Sequence, residues 1–194
     1  MKSKAVLLIC GLFSTASALA ASPNWDYVQG GYYITNIDDI DGLDPTGFGI
    51  AGAKSLGKNV FVRGSYTMTN DDILNGDVDF DQGNAEVGYR YKMTGSTDIY
   101  GTLAYHYAEI SANGPGVNIS SDTDGFGATL GIRSMVTNKI DLEASAGIIR
   151  FDGDSEAITM LAANYYFYTN ISVGVNFTNI SDVSTLGALV RYSF

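Results

Sequence analysis

The residues that could carry chemistry fall into three sets. The first is a single histidine, His106, in the run Tyr105-His106-Tyr107-Ala108. A general base needs an orienting partner within hydrogen-bond reach and a group to activate. No Asp, Glu or Ser occupies the two positions after His106, so this residue is expected to fill an interior and bond to a neighbour. The second set is acidic. Asp39-x-Asp41-Gly42, Asp77-x-Asp79-x-Asp81 and Asp122-x-Asp124-Gly125 carry the alternating oxygen ligands of a calcium loop. The EF-hand also needs a bidentate Glu at its twelfth position, and counting from Asp39 that position is Ile50. A solvated acidic rim is therefore expected, with Asp39, Asp41, Asp77, Asp79, Asp81, Asp122 and Asp124 as weak Ca²⁺ or Mg²⁺ candidates. The third set is mixed in sign: Arg63, Glu86, Arg90, Lys92, Arg133, Asp141 and Glu143, each inside a segment that alternates polar with apolar. No catalytic site and no cofactor is expected from these sets.

The elements that must position them are strands. Ten segments alternate with period two: 25–36, 46–54, 59–69, 83–93, 98–109, 124–134, 139–151, 157–167, 171–179 and 185–194. Eight remain if 46–54 and 157–167 are discounted. Connections 55–58, 94–97, 135–138 and 168–170 are short, whereas 37–45, 70–82 and 110–123 are long. The connections at 152–156 and 180–184 are short to medium. One face carries Val28, Tyr32, Ile34, Phe48, Ile50, Val87, Leu103, Leu130, Ile148 and Val175; the other carries the charged set with Gln29, His106 and Arg191. A water-soluble sandwich would show the same alternation. Aromatic placement separates the two. When strand directions alternate, Tyr32, Phe48, Tyr66, Tyr105, Tyr107, Phe126 and Phe177 fall near the long-loop end. Tyr91, Tyr165, Phe167, Tyr192 and Phe194 fall near the short-turn end. Two aromatic bands around an aliphatic belt are what two membrane interfaces select. The expected fold is an all-β, antiparallel, up-and-down transmembrane barrel. Its short turns and both termini lie in the periplasm.

The ends of the chain agree. Lys2 and Lys4, the apolar run 5–13 and Ala18-Leu19-Ala20 read as a signal peptide over 1–20, cleaved after Ala20, with the barrel over 21–194. Cys10 would suit a lipoprotein, but bulky Ile9 stands where that signal needs a small residue. The last segment, TLGALVRYSF (185–194), alternates into a terminal aromatic, with Leu189 the exception. Most of the 21 acidic residues lie in the long-loop and medium connections, and the net charge of −10 argues against a nucleic-acid partner.

In the charged set, Arg63 and Arg90 are expected at similar heights, with Glu86 above them as their shared carboxylate. Arg133 and Asp141 flank one short turn and are expected to pair, with Glu143 one inward step above Asp141. Charges in a narrow lumen are costly unless paired, so a cross-linked network that includes Lys92 should close the pore. The alternative is a narrow channel in which these groups select ions.

The stretches YVQGGYY (27–33), GFGIAGAKSLGKNVFVRGSY (47–66) and VDFDQGNAEVGYRY (78–91) resemble small bacterial outer-membrane β-barrel proteins. The vesicle-associated barrels of plant-pathogenic bacteria are the nearest, with OmpA- and OmpX-type barrels as looser relatives. The resemblance implies the bacterial cell outer membrane and contact with its lipid and lipopolysaccharide, whose phosphates divalent ions could bridge to the acidic rim. It also implies insertion by the barrel-assembly machinery, with Tyr192 and Phe194 as the recognition signal, and a monomer in a membrane-structural or surface-interaction role. Outer-membrane enzymes of similar shape, the remaining alternative, use a His-x-Ser pair or His-Asp with an Asp pair. Here Ala108 stands at the Ser position and no Asp follows His106.

Overall fold

A computed structural model describes residues 21–37, 44–73, 76–114, 117–151 and 153–194. The expected leader and the candidates Asp39 and Asp41 lie outside these. Ten strands follow in order: β1 (Tyr27–Ile37), β2 (Thr46–Ser55), β3 (Val60–Ile73), β4 (Gly76–Lys92), β5 (Thr97–Gly114), β6 (Val117–Thr137), β7 (Ile140–Phe151), β8 (Asp154–Tyr166), β9 (Ile171–Ile180) and β10 (Val183–Ser193). Each pairs antiparallel with its chain neighbour, and β1 closes on β10 from Tyr27↔Ser193 to Ile37↔Val183. Both weak segments are full strands, so the barrel has ten strands, not eight. Closure leaves the wall without a free edge, which a hydrocarbon surrounding requires because it offers backbone groups no hydrogen bonds.

The outer face is apolar and open. Phe48, Ile50, Phe126 and Leu130 are each about 70% exposed (69%, 69%, 71% and 76%), a surface that water would penalise and lipid favours. Aromatics pair near both ends of the wall: Tyr32 with Phe48 at 5.4 Å and Tyr105 with Phe126 at 5.5 Å on one side, Phe167 with Tyr168 at 5.2 Å on the other. Leu189, the alternation's exception, points inward and is buried.

Two expectations need correction. Residues 70–82 and 110–123 are not long loops. The ladders continue through them to Ile73↔Gly76 and Gly114↔Val117, so β3 to β6 extend as long hairpins. Their Asp, Ser and Thr content resembles loop composition, but ladder bonds are made by backbone, and beyond the membrane the outward face need not be apolar. Likewise 154–156 belongs to β8. The second correction is register. Arg63 lies directly across from Glu86, while Arg90 sits four residues further toward the β4–β5 turn, so the two arginines are not level. Counting inward from residues 70 and 82 misplaced them, because the ladder pairs Asn70 with Asp79 and not with Gln82.

Candidate functional site

The inward side chains meet in the lower half of the lumen, on the side of the β2–β3, β4–β5 and β6–β7 turns. Arg133, from β6, is fully buried and grips Asp141 of β7: its Nη2 donates to Oδ2 at 2.6 Å, and its Nε to both carboxylate oxygens at 3.1 Å. Arg191 of β10 donates to the same Oδ2 at 3.3 Å and to Gln29 Oε1 of β1 at 2.8 Å. One step higher, Glu143 takes Arg63 Nη1 at 2.7 Å and the Tyr100 hydroxyl at 2.7 Å, and stands 3.8 Å from Arg133. Arg63 reaches Glu86 with its other nitrogen at 3.0 Å. The Arg63–Glu143 pair joins β3 to β7, with three strands between them in the closed ring, so it crosses the lumen. A continuous chain thus runs Glu86–Arg63–Glu143–Arg133–Asp141–Arg191–Gln29.

A second cluster lies against this floor. Trp25, in the irregular segment before β1, is 1% exposed and donates its indole N–H to Asp98 Oδ2 at 2.9 Å. Its ring sits 4.3 Å from Phe61 and 5.1 Å from Tyr100. Two guanidinium groups stack on it, Arg133 at 5.0 Å and Arg90 at 5.5 Å, a geometry that suits Arg because its faces are weakly hydrated. Arg90 pairs with Asp98 at 3.7 Å and with Ser55, not with Glu86. Glycines make room: a Cβ on Gly88 would strike the Phe61 ring, and one on Gly131 the Tyr100 ring. The segment is held in place by Asp26, whose carboxylate accepts the Ser55 N–H at 2.7 Å and whose carbonyl accepts the Phe194 N–H at 3.0 Å.

The structure therefore brings together six of the seven charges singled out in the sequence: Arg63, Glu86, Glu143, Arg133 and Asp141 in one chain, and Arg90 beside them. Lys92 is not among them. It lies at the end of β4, exposed, and makes none of the ion pairs found among the described residues. Trp25, Asp98, Tyr100 and Phe61 were not singled out. The signal for Phe61 and Tyr100 was available, since each is a large aromatic on the polar face of an alternating strand. Trp25 opens the first alternating segment on the same face as Gln29, so its parity was a signal as well. His106 is buried in the lumen as expected, and its Nε2 has no hydrogen-bond partner.

The acidic candidates separate. Asp77, Asp79 and Asp81 occupy one strand, so the x-spaced carboxylates share its outer face and stand roughly 7 Å apart instead of converging. Asp81, Glu109 and Asp122 lie side by side across β4, β5 and β6, and Asp124 faces Tyr107. Among the described residues no three His, Cys, Asp or Glu side chains group to hold a metal ion. Glu109, beyond the aromatic band, is held below the usual carboxylate range by hydrogen bonds from Tyr107 and then Ser120.

A model of the outer membrane protein beta-barrel domain matches residues 5–179. No curated protein matches. Among solved structures, Ail of Yersinia pestis is 15% identical, with 89% of this chain and 100% of that one covered at a TM-score of 0.46. The N-terminal β-barrel domain of Pseudomonas aeruginosa OprF is 12% identical, covering 88% and 100% at 0.48. Pseudomonas aeruginosa OprG is 13% identical, covering 90% and 98% at 0.44.

Proposed function

This chain belongs to the outer membrane protein beta-barrel family, and on that premise we propose that it is a non-enzymatic, non-conducting barrel of the bacterial outer membrane. Its lumen is closed by side chains, and its acidic hairpins face outward from the cell. The observation that carries this reading is the Arg63–Glu143 bridge across the lumen, backed by Trp25. Solute or ion passage would require breaking charge pairs that are largely buried. The four arginines of the floor, Arg63, Arg90, Arg133 and Arg191, meet four carboxylates, Glu86, Asp98, Asp141 and Glu143. That balance leaves no free charge to select an ion.

The barrel's role is then at its two outer surfaces. The apolar wall meets lipid. The extended β3–β6 hairpins carry Asp77, Asp79, Asp81, Asp122 and Asp124 above it, where divalent ions can bridge them to lipopolysaccharide phosphates. Short turns and both chain ends face the periplasm, after removal of a leader at Ala20. Tyr192 and Phe194 present the aromatic signal that the assembly machinery reads. Proteoliposomes holding the purified barrel should not swell in an isotonic small sugar such as arabinose. Swelling at the rate of a general porin would overturn the closed reading. Protease added to intact cells should cut at the β3–β4 or β5–β6 hairpin tips and spare residues 55–58; the reverse pattern would invert the orientation.

A further inference from the structure

Above the floor the lumen is an unfilled cup. A cavity of about 410 Å³ runs from Arg63 and Glu143 to the tips of the β7–β8 and β9–β10 hairpins, where Phe151 and Ser181 line it. Its two sides differ in kind. From β7 to β10, Phe151, Ile158, Met160, Ile180 and Leu189 line the cavity. Across from them, β3 to β5 contribute Ser65, Thr67, Gln82, Asn84 and His106. Glu156, Asn176, Thr178, Ser181 and Thr185 interrupt the apolar side, and Phe80, Tyr107 and Ala108 the polar one.

An apolar wall inside a barrel is not explained by lipid, which touches only the outer face, and it gains nothing from water in the cup. The polar side is incompletely satisfied. Asn84 and His106 are direct cross-strand partners, yet Asn84 Oδ1 and His106 Nε2 have no hydrogen-bond partner in the protein. Charge narrows the occupant. Arg63 and Arg191, the cations that line the cup, are held by Glu86 and Glu143 and by Asp141, so an anion finds no free cation there. A cation finds the floor carboxylates already bound by arginine and meets one further carboxylate of the lining, Glu156, only near the β7–β8 tip. The volume is in the range of small-molecule sites, roughly 300–1,000 Å³.

We propose that this cup is a binding site, reached from the hairpin side, for a small uncharged amphipathic molecule: a single ring with one apolar face and hydroxyl or amide groups along an edge. The ring packs on Ile158 and Met160 and the polar edge meets Asn84 and His106. The inference rests on the closed floor proposed above, because a through-pore would give such a molecule no end wall.

The test uses the full barrel in lipid nanodiscs with resorcinol as the uncharged probe and benzoate at pH 7 as the charged one, read by ligand-detected NMR. Ala108→Trp fills the cup from a position whose cross-strand neighbours, Gln82 and Thr123, are not floor charges, and Thr67→Trp fills it from the next strand but one should the first variant fold poorly. Resorcinol should bind the native barrel saturably, at least tenfold more weakly in a folded tryptophan variant, and benzoate at least tenfold more weakly than resorcinol. Non-saturable uptake, or equal binding in the variants, would overturn the site. Equal binding of benzoate would overturn the uncharged class. Conductance of the same preparation is measured in parallel: silence without resorcinol binding defeats the cup alone, and currents with saturable binding defeat the floor alone.

Discussion

The floor of the lumen and the outward face of the hairpins use the same carboxylates to opposite ends. On the floor, Glu143 and Asp141 are buried and each is held by two arginines. On the hairpins, Asp81, Glu109 and Asp122 stand in one row of neighbouring strands with no basic residue between them. Burial makes the difference. A buried carboxylate without a partner is too costly to keep, so its neighbours are fixed by the need for pairing. In water, like charges on adjacent strands repel only weakly and are screened, so the row is tolerated and confers solubility and a negative field.

That contrast can be broken in order of expected effect. Glu143→Ala should cost most, about 3–5 kcal/mol, because it leaves Arg63 and Arg133 facing each other without their shared carboxylate. Denaturant unfolding in detergent micelles would measure it, and Glu143→Gln should recover part of the loss by keeping the Tyr100 hydrogen bond. Trp25→Ala should follow, at about 3 kcal/mol, the low end for deleting a large buried aromatic because Trp25 lies in the irregular segment before β1, which can shift into the space left. Arg90 and Arg133 would lose the ring they stack on, so the same variant should become more sensitive to salt. Asp122→Asn on the hairpin should change stability by no more than about 0.5 kcal/mol. A floor-sized loss there would erase the distinction between the two regions.

The smallest expected effect is a pH dependence. Hydrogen bonds from Tyr107 and Ser120 depress the Glu109 pKa in the folded barrel. A depressed carboxylate contributes stability that is fully present above its unfolded value, roughly 4.3, and is lost as pH falls through the folded one. Tyr107→Phe removes the leading hydrogen bond, so its melting point should fall less than the native barrel's when pH is lowered below 4. Parallel pH curves for the two proteins would show that the bond carries no such coupling.

What the sequence could reveal follows the same division. The wall was legible strand by strand because lipid imposes period two on every segment, and Leu189 stood out as the exception within the last one. Arg133 and Asp141 could be matched because a short turn keeps them near each other, although the ladder sets Arg133 level with Glu143 and Asp141 level with Met135. Arg63–Glu143 could not, because partners on β3 and β7 meet only when the sheet closes, and nothing local reports which inward residues face each other across the lumen. The hairpins were misread as loops for the converse reason: outside the membrane no apolar pattern marks a strand, although the backbone ladder continues. Trp25 was missed because it stands at the very start of its segment, and its contacts with Arg90, Arg133 and Asp98 exist only in the closed barrel.

The claim that paired charges and Trp25 seal the lumen is tested most directly by single-channel recording in planar bilayers, comparing the native protein with a Trp25→Ala, Glu143→Ala double variant. The native barrel should show no steady conductance up to high voltage, and the double variant should show discrete openings. Reproducible channels from the native barrel, or a double variant that folds and stays silent, would contradict it.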